Sequence, residues 1–320
     1  MTGITPHIVI KFEATGGVHM EWIVGIQNAI DYIENNITEK LDYELIAKES
    51  FSSSFHFQRV FSILCGYTLG EYIRNRRLTL AGTELAHGKK KVIDIAYKYG
   101  YDTPESFTKA FQKFHGITPS QARSNGAMLK SFSRLSIKVS LEGGNMMDYR
   151  IEEKEELVLY GYKQRFSGTP MDRKQQDHNF HCETRLKQAV LMYTAHDVDT
   201  EYTPISNFDD EGYDYYIAAY LADSSLEDIV DMMGAEVAGW FEKIIIPEGT
   251  YLVCETQRCS CPPRYIEALY TDAVTQWLPS SGYELAEGPE LEILHWPYKK
   301  DDETLNNSRY MELWLPIKKK

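Results

Sequence analysis

The residues with the clearest chemical use form two matching sets about fifty positions apart. Phe57, Val60, Phe61 and Leu64 lie at i, i+3, i+4 and i+7, and Phe107, Ala110, Phe111 and Phe114 repeat that spacing. Each set makes one apolar face of an α-helix. Left outward are Ser53, Ser54, Phe55, Gln58, Arg59 and Ser62 in the first copy, and Pro104, Glu105, Thr108, Lys109 and Gln112 in the second. These are side chains of base and phosphate contact: arginine binds guanine through two parallel bonds, glutamine does the same with adenine, and a short hydroxyl reaches either base or phosphate. Arg59 and Lys109 hold corresponding places. One such stripe is explained as well by core packing, but its duplication points to double-stranded DNA as a partner.

The flanking sequence supplies the elements that would hold these side chains. Each stripe follows a short helix carrying Ile-Ala (Ile46-Ala47, Ile95-Ala96) and a turn, Glu49–Ser52 in one copy and Gly100–Thr103 in the other. Gly100 suits the left-handed residue that ends a helix, and Thr103 followed by Pro104 reads as an N-cap with proline at the first helical position. Two helix-turn-helix units result. Between them Leu69–Leu85 is a long helix with Ile73, Leu78 and Leu85 inward and Arg74, Arg76 and Arg77 on its surface. On that axis, two recognition helices about 34 Å apart could enter successive major grooves on one side of B-DNA. Earlier still, Ile23, Ile26, Ile30, Ile33 and Ile37 form a helical stripe after Trp22. Residues 1–19 show no period, so Met20 is a candidate natural start with a leader before it.

A chain of 320 residues with 43% hydrophobic content fits two globular domains. Its net charge of −13 is unevenly spread: residues 51–130 carry 12 Lys/Arg against 5 Asp/Glu, and residues 131–320 carry 19 against 34. A basic module with a phosphate footprint is joined to an acidic one. No apolar run is long enough for a membrane span and no signal peptide is evident, so a cytoplasmic protein without a membrane partner is expected. Cys65, Cys182, Cys254, Cys259 and Cys261 read as reduced thiols. Neither Cys254/Cys259/Cys261 nor His178/His181/Cys182 offers a four-ligand zinc set. No phosphate-binding glycine loop, serine elbow or zinc-protease motif occurs, so no metal, cofactor or catalytic residue is assigned.

After Gly143-Gly144 the pattern shifts to short β-rich runs at Val158–Tyr162, Tyr215–Tyr220, Thr250–Cys254, Leu291–Leu294 and Met311–Leu315. Helix-like stretches lie near Glu183–Tyr193, Glu227–Trp240 and Pro263–Leu278. The expected fold class is multidomain: an all-α double helix-turn-helix domain over 20–125, a linker over 126–145, and an α+β domain over 146–320.

Ile93-Asp94-Ile95-Ala96, Gly100-Tyr101, Ser106-Phe107, Phe111-Gln112-Lys113-Phe114, Gly116 and Thr118-Pro119-Ser120-Gln121-Ala122-Arg123 resemble the AraC/XylS family signature, with Ser54–Phe61, Gly66 and Gly70-Glu71-Tyr72 as its usual companion. The resemblance implies a seven-helix domain over about Trp22–Arg123 and DNA contacts from both recognition helices, Ser106 among them. Glu105 departs from the neutral or basic residue common there; a carboxylate repels phosphate but accepts from cytosine N4.

Ile246–Val253, Gly288–Ile293 and Glu312–Ile317, with Val158–Tyr162 and Tyr215–Ala219, resemble the GyrI-like effector-binding domain. The domain order is similar to that of Rob-type regulators. The resemblance implies two β-α-β-β repeats breaking near Ser224-Ser225, and an aromatic pocket around a central acidic residue. Glu292 sits in the matching strand, with Glu290 beside it and Glu312 on the last strand. Tyr160, Tyr216, Tyr220, Trp240, Tyr251, Trp296 and Trp314 are candidate walls. A carboxylate among aromatics favours a cationic or hydrogen-bond-donating effector. The expected protein is a ligand-responsive regulator, with RNA polymerase as a further partner and a monomer or homodimer as its state. The alternatives are a second domain that acts as a small-molecule hydrolase or as an assembly module.

Overall fold

The isoleucine stripe becomes the buried face of α1 (Val18–Asn35), where Ile23, Ile26, Ile30 and Ile33 are buried, and Ile37 is buried in the turn that follows. The computed structural model describes residues 7–12, 18–141, 148–221, 230–231 and 234–320. The chain divides into two compact units near residue 142.

In the first unit α2 (Tyr43–Lys48) is capped by Asp42, which accepts from the Glu44 amide. Then come α3 (Ser54–Cys65), α4 (Leu69–His87), α5 (Val92–Lys98) and α6 (Pro104–His115). Thr68 and Glu71 open α4 with reciprocal bonds that satisfy two orphan backbone donors. Among the described residues, six α-helices and a short 3-10 turn at Gln121–Arg123 stand where seven helices were expected, because that last segment closes only one tight turn. Leu78, Ala81, Leu85, Ile95, Ala96, Tyr99, Phe107, Phe111 and Ala122 form the core of the second helix-turn-helix.

The leader and linker are not wholly without structure. His7–Phe12 (β1) pairs in parallel with Ser136–Leu141 (β2). Phe132 packs edge-on against Tyr67 and Tyr72, and Leu135 is fully buried. Apolar residues in a segment that reads as a linker give it something to bury.

Among the described residues the second unit is built on one antiparallel sheet of nine strands: β3 (Tyr149–Lys154), β4 (Leu157–Ser167), β5 (Thr200–Ser206), β6 (Gly212–Ala219), β7 (Glu242–Ile246), β8 (Gly249–Glu255), β9 (Tyr283–Leu285), β10 (Glu290–His295) and β11 (Tyr310–Lys319). Their order is β3-β8-β11-β10-β5-β6-β4-β7, with β9 beside β11. Helices α7 (Lys174–Glu183) and α8 (Arg185–Thr194) follow β4; α9 (Ala235–Ala238) precedes β7; α10 (Ile266–Asp272) follows β8; and α11 (Glu303–Asn306) precedes β11. Thus β4, α7/α8, β5 and β6 are matched by β8, α10, β10 and β11, and the two halves meet where β5 pairs with β10. This is the β-α-β-β duplication expected. The break near Ser224-Ser225 and most of the helix expected over 227–240 lie outside the described residues.

Candidate DNA-reading surface and effector site

Both recognition helices have twelve residues, and each ends at a glycine with positive φ, Gly66 and Gly116. In α6 the Thr103 hydroxyl accepts from the Ser106 amide at 3.1 Å, and Pro104 occupies the first turn, so the helix start is fixed by its sequence. Phe107 and Phe111 are buried, while Glu105, Ser106, Lys109 and Gln112 are exposed. Pro104, Glu105, Thr108, Lys109 and Gln112 line one hollow of about 390 Å³, which brings most of the second set together. Thr108 Oγ1 donates to the Pro104 carbonyl at 2.7 Å, which commits its proton and leaves its oxygen able to accept.

The outward set of α3 differs. Ser53, Ser54, Phe55 and Gln58 are half-buried, and Gln58 bonds back to Ser54. Arg59 is only 3% exposed and Ser62 is also buried. The expectation that Arg59 faces solvent is corrected. Helical spacing places it opposite Phe57 and Phe61, but spacing reports the direction away from the helix's own core, not what else packs on that side.

Two arginines of α4 are also corrected. Arg76 makes a bidentate pair with Glu34 (2.8 and 2.9 Å) and donates to the Phe132 carbonyl. Arg77 donates to the carbonyls of Ile37 and Glu39. Their donors are taken up by a carboxylate and by backbone carbonyls of neighbouring segments rather than facing phosphate.

In the second unit, strand alternation sorts the predicted pocket residues onto two faces. Leu159, Tyr216, Ala218, Tyr251, Val253, Leu291 and Ile293 share one face, with Tyr220 and Trp314 packed against them. Glu290 and Glu292 alternate with Leu291 and Ile293 and so point to the other face, where α7 and α8 pack. That face carries Tyr162, Phe166, Phe180, Tyr213 and Tyr215, with Tyr160 and Trp240 against them. Tyr216, Tyr220, Tyr251 and Trp314 therefore do not surround Glu292, and the single pocket expected is corrected. A one-residue offset in a strand reverses the face. Trp296 lies past β10 beneath the Arg309 guanidinium. Glu312 is on the Trp314 face and accepts from the Trp314 indole at 2.8 Å.

Glu292 and Glu290 are each 1% exposed, so neither is a solvent-facing strand residue. Glu292 is gripped by Arg173, whose Nη1 and Nη2 donate to its two oxygens at 2.8 and 2.6 Å. Burial opposes the charge on Arg173, but the Glu292 carboxylate outweighs it and holds its pKa well above the ordinary value. The guanidinium lies 5.3 Å from the centre of the Tyr215 ring. Asp177 and His181 follow at spacings of four along α7, and their pair (3.2 Å) raises the imidazole pKa to about 9. Glu201, which accepts from Gln188, is pushed up by burial. Sequence reading missed Arg173 and Asp177 and weighed His181 only as a zinc ligand; their alternating charge at i, i+4 and i+8 was the available signal.

The chain matches the family described as helix-turn-helix domain over residues 46–125 and that of the GyrI-like small molecule binding domain over residues 147–318. It is 44% identical over 98 residues to the HTH-type transcriptional activator AarP of Providencia stuartii, covering 31% of this chain and 73% of AarP. To the regulatory protein SoxS of Escherichia coli K12 it is 38% identical over 98 residues, 31% of this chain and 92% of SoxS. The solved structure of SAV2435 bound to tetraphenylphosphonium is similar at 17% identity and a TM-score of 0.40, over 54% of this chain and 94% of that one. The chain belongs to the AraC-type helix-turn-helix transcription regulators and carries a GyrI-like small-molecule binding domain after its DNA-binding domain. It is a DNA-binding transcription regulator. No described helix is long and apolar enough to cross a membrane.

Proposed function

We propose that both recognition helices read bases and that a cationic or aromatic effector, recognised through Glu292, changes how they do so. The observation that carries the DNA part is the single hollow over Pro104, Glu105, Thr108, Lys109 and Gln112, with Ser106 exposed beside it. Ser53, Ser54, Phe55, Gln58 and Arg59 form the first contact set, and Arg59 has to be uncovered before it can meet a base. For the effector, a carboxylate buried on the central strand pair beside Tyr215 is the site's recognition group, with Tyr160 and Trp240 packed on the same face. Coupling follows if the effector binds one of two protein states better than the other.

We assign residues 20–125 to DNA binding and 146–320 to the effector, RNA polymerase as a partner, and a cytoplasmic monomer or homodimer. Both oxygens of Glu292 are held by Arg173, which supports a binding rather than a hydrolytic site. The test is a titration of the full chain against its own promoter DNA at two salt concentrations, with unrelated DNA alongside. Selective binding that weakens as salt rises is expected. Equal affinity for both DNAs at both salts would overturn base reading.

A further inference from the structure

The cation that completes the effector site comes from the chain itself. We propose that the Arg173 guanidinium is a tethered stand-in for the effector's cationic group, and that the site takes a flat, delocalised monocation of the arylamidinium or arylguanidinium class that displaces Arg173 from Glu292. This rests on the reading of Glu292 as the recognition carboxylate and deepens it.

Glu292 sits on β10 and Arg173 just ahead of α7, 119 residues earlier. Among the described residues Arg173 is the hydrogen-bond partner of both carboxylate oxygens. A carboxylate this deeply buried is strongly disfavoured alone, so to stay charged it has to be met by a cation in whatever state the domain adopts. Arg173 is the outer member of the pair: its side chain retains 11% exposure against 1% for Glu292, so the route from solvent to the carboxylate passes the arginine side chain. Its backbone lies between the 3-10 turn Pro170–Asp172 and α7 and belongs to no strand, so a shift of this segment that carries the side chain away breaks no ladder bond.

The geometry also sets the ligand class. Two parallel N–H donors fit the two oxygens, a pattern that amidinium and guanidinium groups reproduce and a compact ammonium does not. The Tyr215 ring at 5.3 Å offers an aromatic face to whichever planar cation occupies the place, and Tyr270 lies within electrostatic reach. An aryl group on the incoming cation would gain burial beside these rings, which the arginine stem does not match.

The experiment is calorimetric titration of the full chain with benzamidinium. Arg173→Ala is expected to bind it about tenfold more tightly than the wild type, since the variant removes an occupied competing state. In the Arg173→Ala/Glu292→Gln double variant that gain should vanish. If wild type and Arg173→Ala bind equally and Glu292→Gln weakens both, the stand-in is overturned while Glu292 remains the recognition group. Binding indifferent to Glu292→Gln in either background overturns both. Where Arg173→Ala lowers the melting temperature, benzamidinium should raise it more in that variant than in wild type or the double variant; equal rises overturn the proposal.

Discussion

The two helix-turn-helix copies agree on their inner faces and part company on their outer ones. Phe57, Phe61 and Gly66 in the first correspond to Phe107, Phe111 and Gly116 in the second, and the paired rings meet at 5.9 and 5.5 Å. At the turns the copies diverge. Gly100 takes positive φ in the second, whereas Phe51 takes it in the first while 88% exposed. The helix starts also differ in firmness: the Thr103 cap bond is 3.1 Å and the corresponding Ser53 bond 3.4 Å. Outward, Lys109 and Gln112 are exposed and Arg59 is not. Packing constrains the inner face of a duplicated unit and leaves its outer face free to take a separate role.

The largest effects test the shared inner faces. Phe61→Ala and Phe111→Ala should each cost about 3–5 kcal/mol in denaturant unfolding, since both rings are fully buried. Markedly unequal losses would break the equivalence. On the outer faces, Lys109→Ala should weaken promoter binding by about 1–3 kcal/mol. A matching loss on unrelated DNA would reduce Lys109 to a phosphate contact. At the turns, Gly100→Ala should cost about 1–2 kcal/mol, because alanine is strained at positive φ and its Cβ would meet Arg77 Nη1 at 2.7 Å. Phe51→Gly should instead stabilise by roughly 0.5 kcal/mol, the released strain less the entropy glycine adds. A loss on Phe51→Gly would mean that the exposed ring has a stabilising contact.

The smallest effect concerns the helix ends, where Cys65 and His115 correspond. Burial pushes the Cys65 thiol pKa up, so it stays neutral. Burial also lowers the His115 pKa, helped by Lys130 and opposed by the Leu78 carbonyl. A lowered folded pKa means the unfolded imidazole takes up protons first, so this contribution is complete above the ordinary value of 6.5 and is lost as pH falls below it. Thermal melts should show that slope in wild type and lose it in His115→Gln. An unchanged slope would clear His115 of the effect.

The apolar strands were legible because their alternation is strong: β4, β8, β10 and β11 each contain a run expected from sequence, and β6 holds all but the last residue of one. β3 was not, since an edge strand of Arg150, Glu152 and Lys154 carries charge that blunts the edge instead of an apolar signal. β5 was hidden by Pro204. Recognition helices could be placed from the recurrence of Phe57 and Phe61 as Phe107 and Phe111, yet the burial of Arg59 could not. Glu292 was found and its partner missed, because nothing in the polar stretch around Arg173 announces a contact so distant in sequence. The one-pocket reading failed on parity: Tyr215, not Tyr216, shares the face of Glu292.

The long connecting helix has a consequence for the shape of any target site. α4 spans 19 residues, an axis of about 28 Å at 1.5 Å per residue, with Arg76 and Arg77 bracing it against the segments on either side. Such an axis acts as a ruler that cannot lengthen. On a helical target, added base pairs are also rotation: about 5 inserted between the two contact sets would turn one of them to the opposite side of the duplex. For the proposed two-helix contact this predicts a single permitted spacing between the two contact sets, because an insertion of either half a turn or a whole turn would outrun the fixed axis.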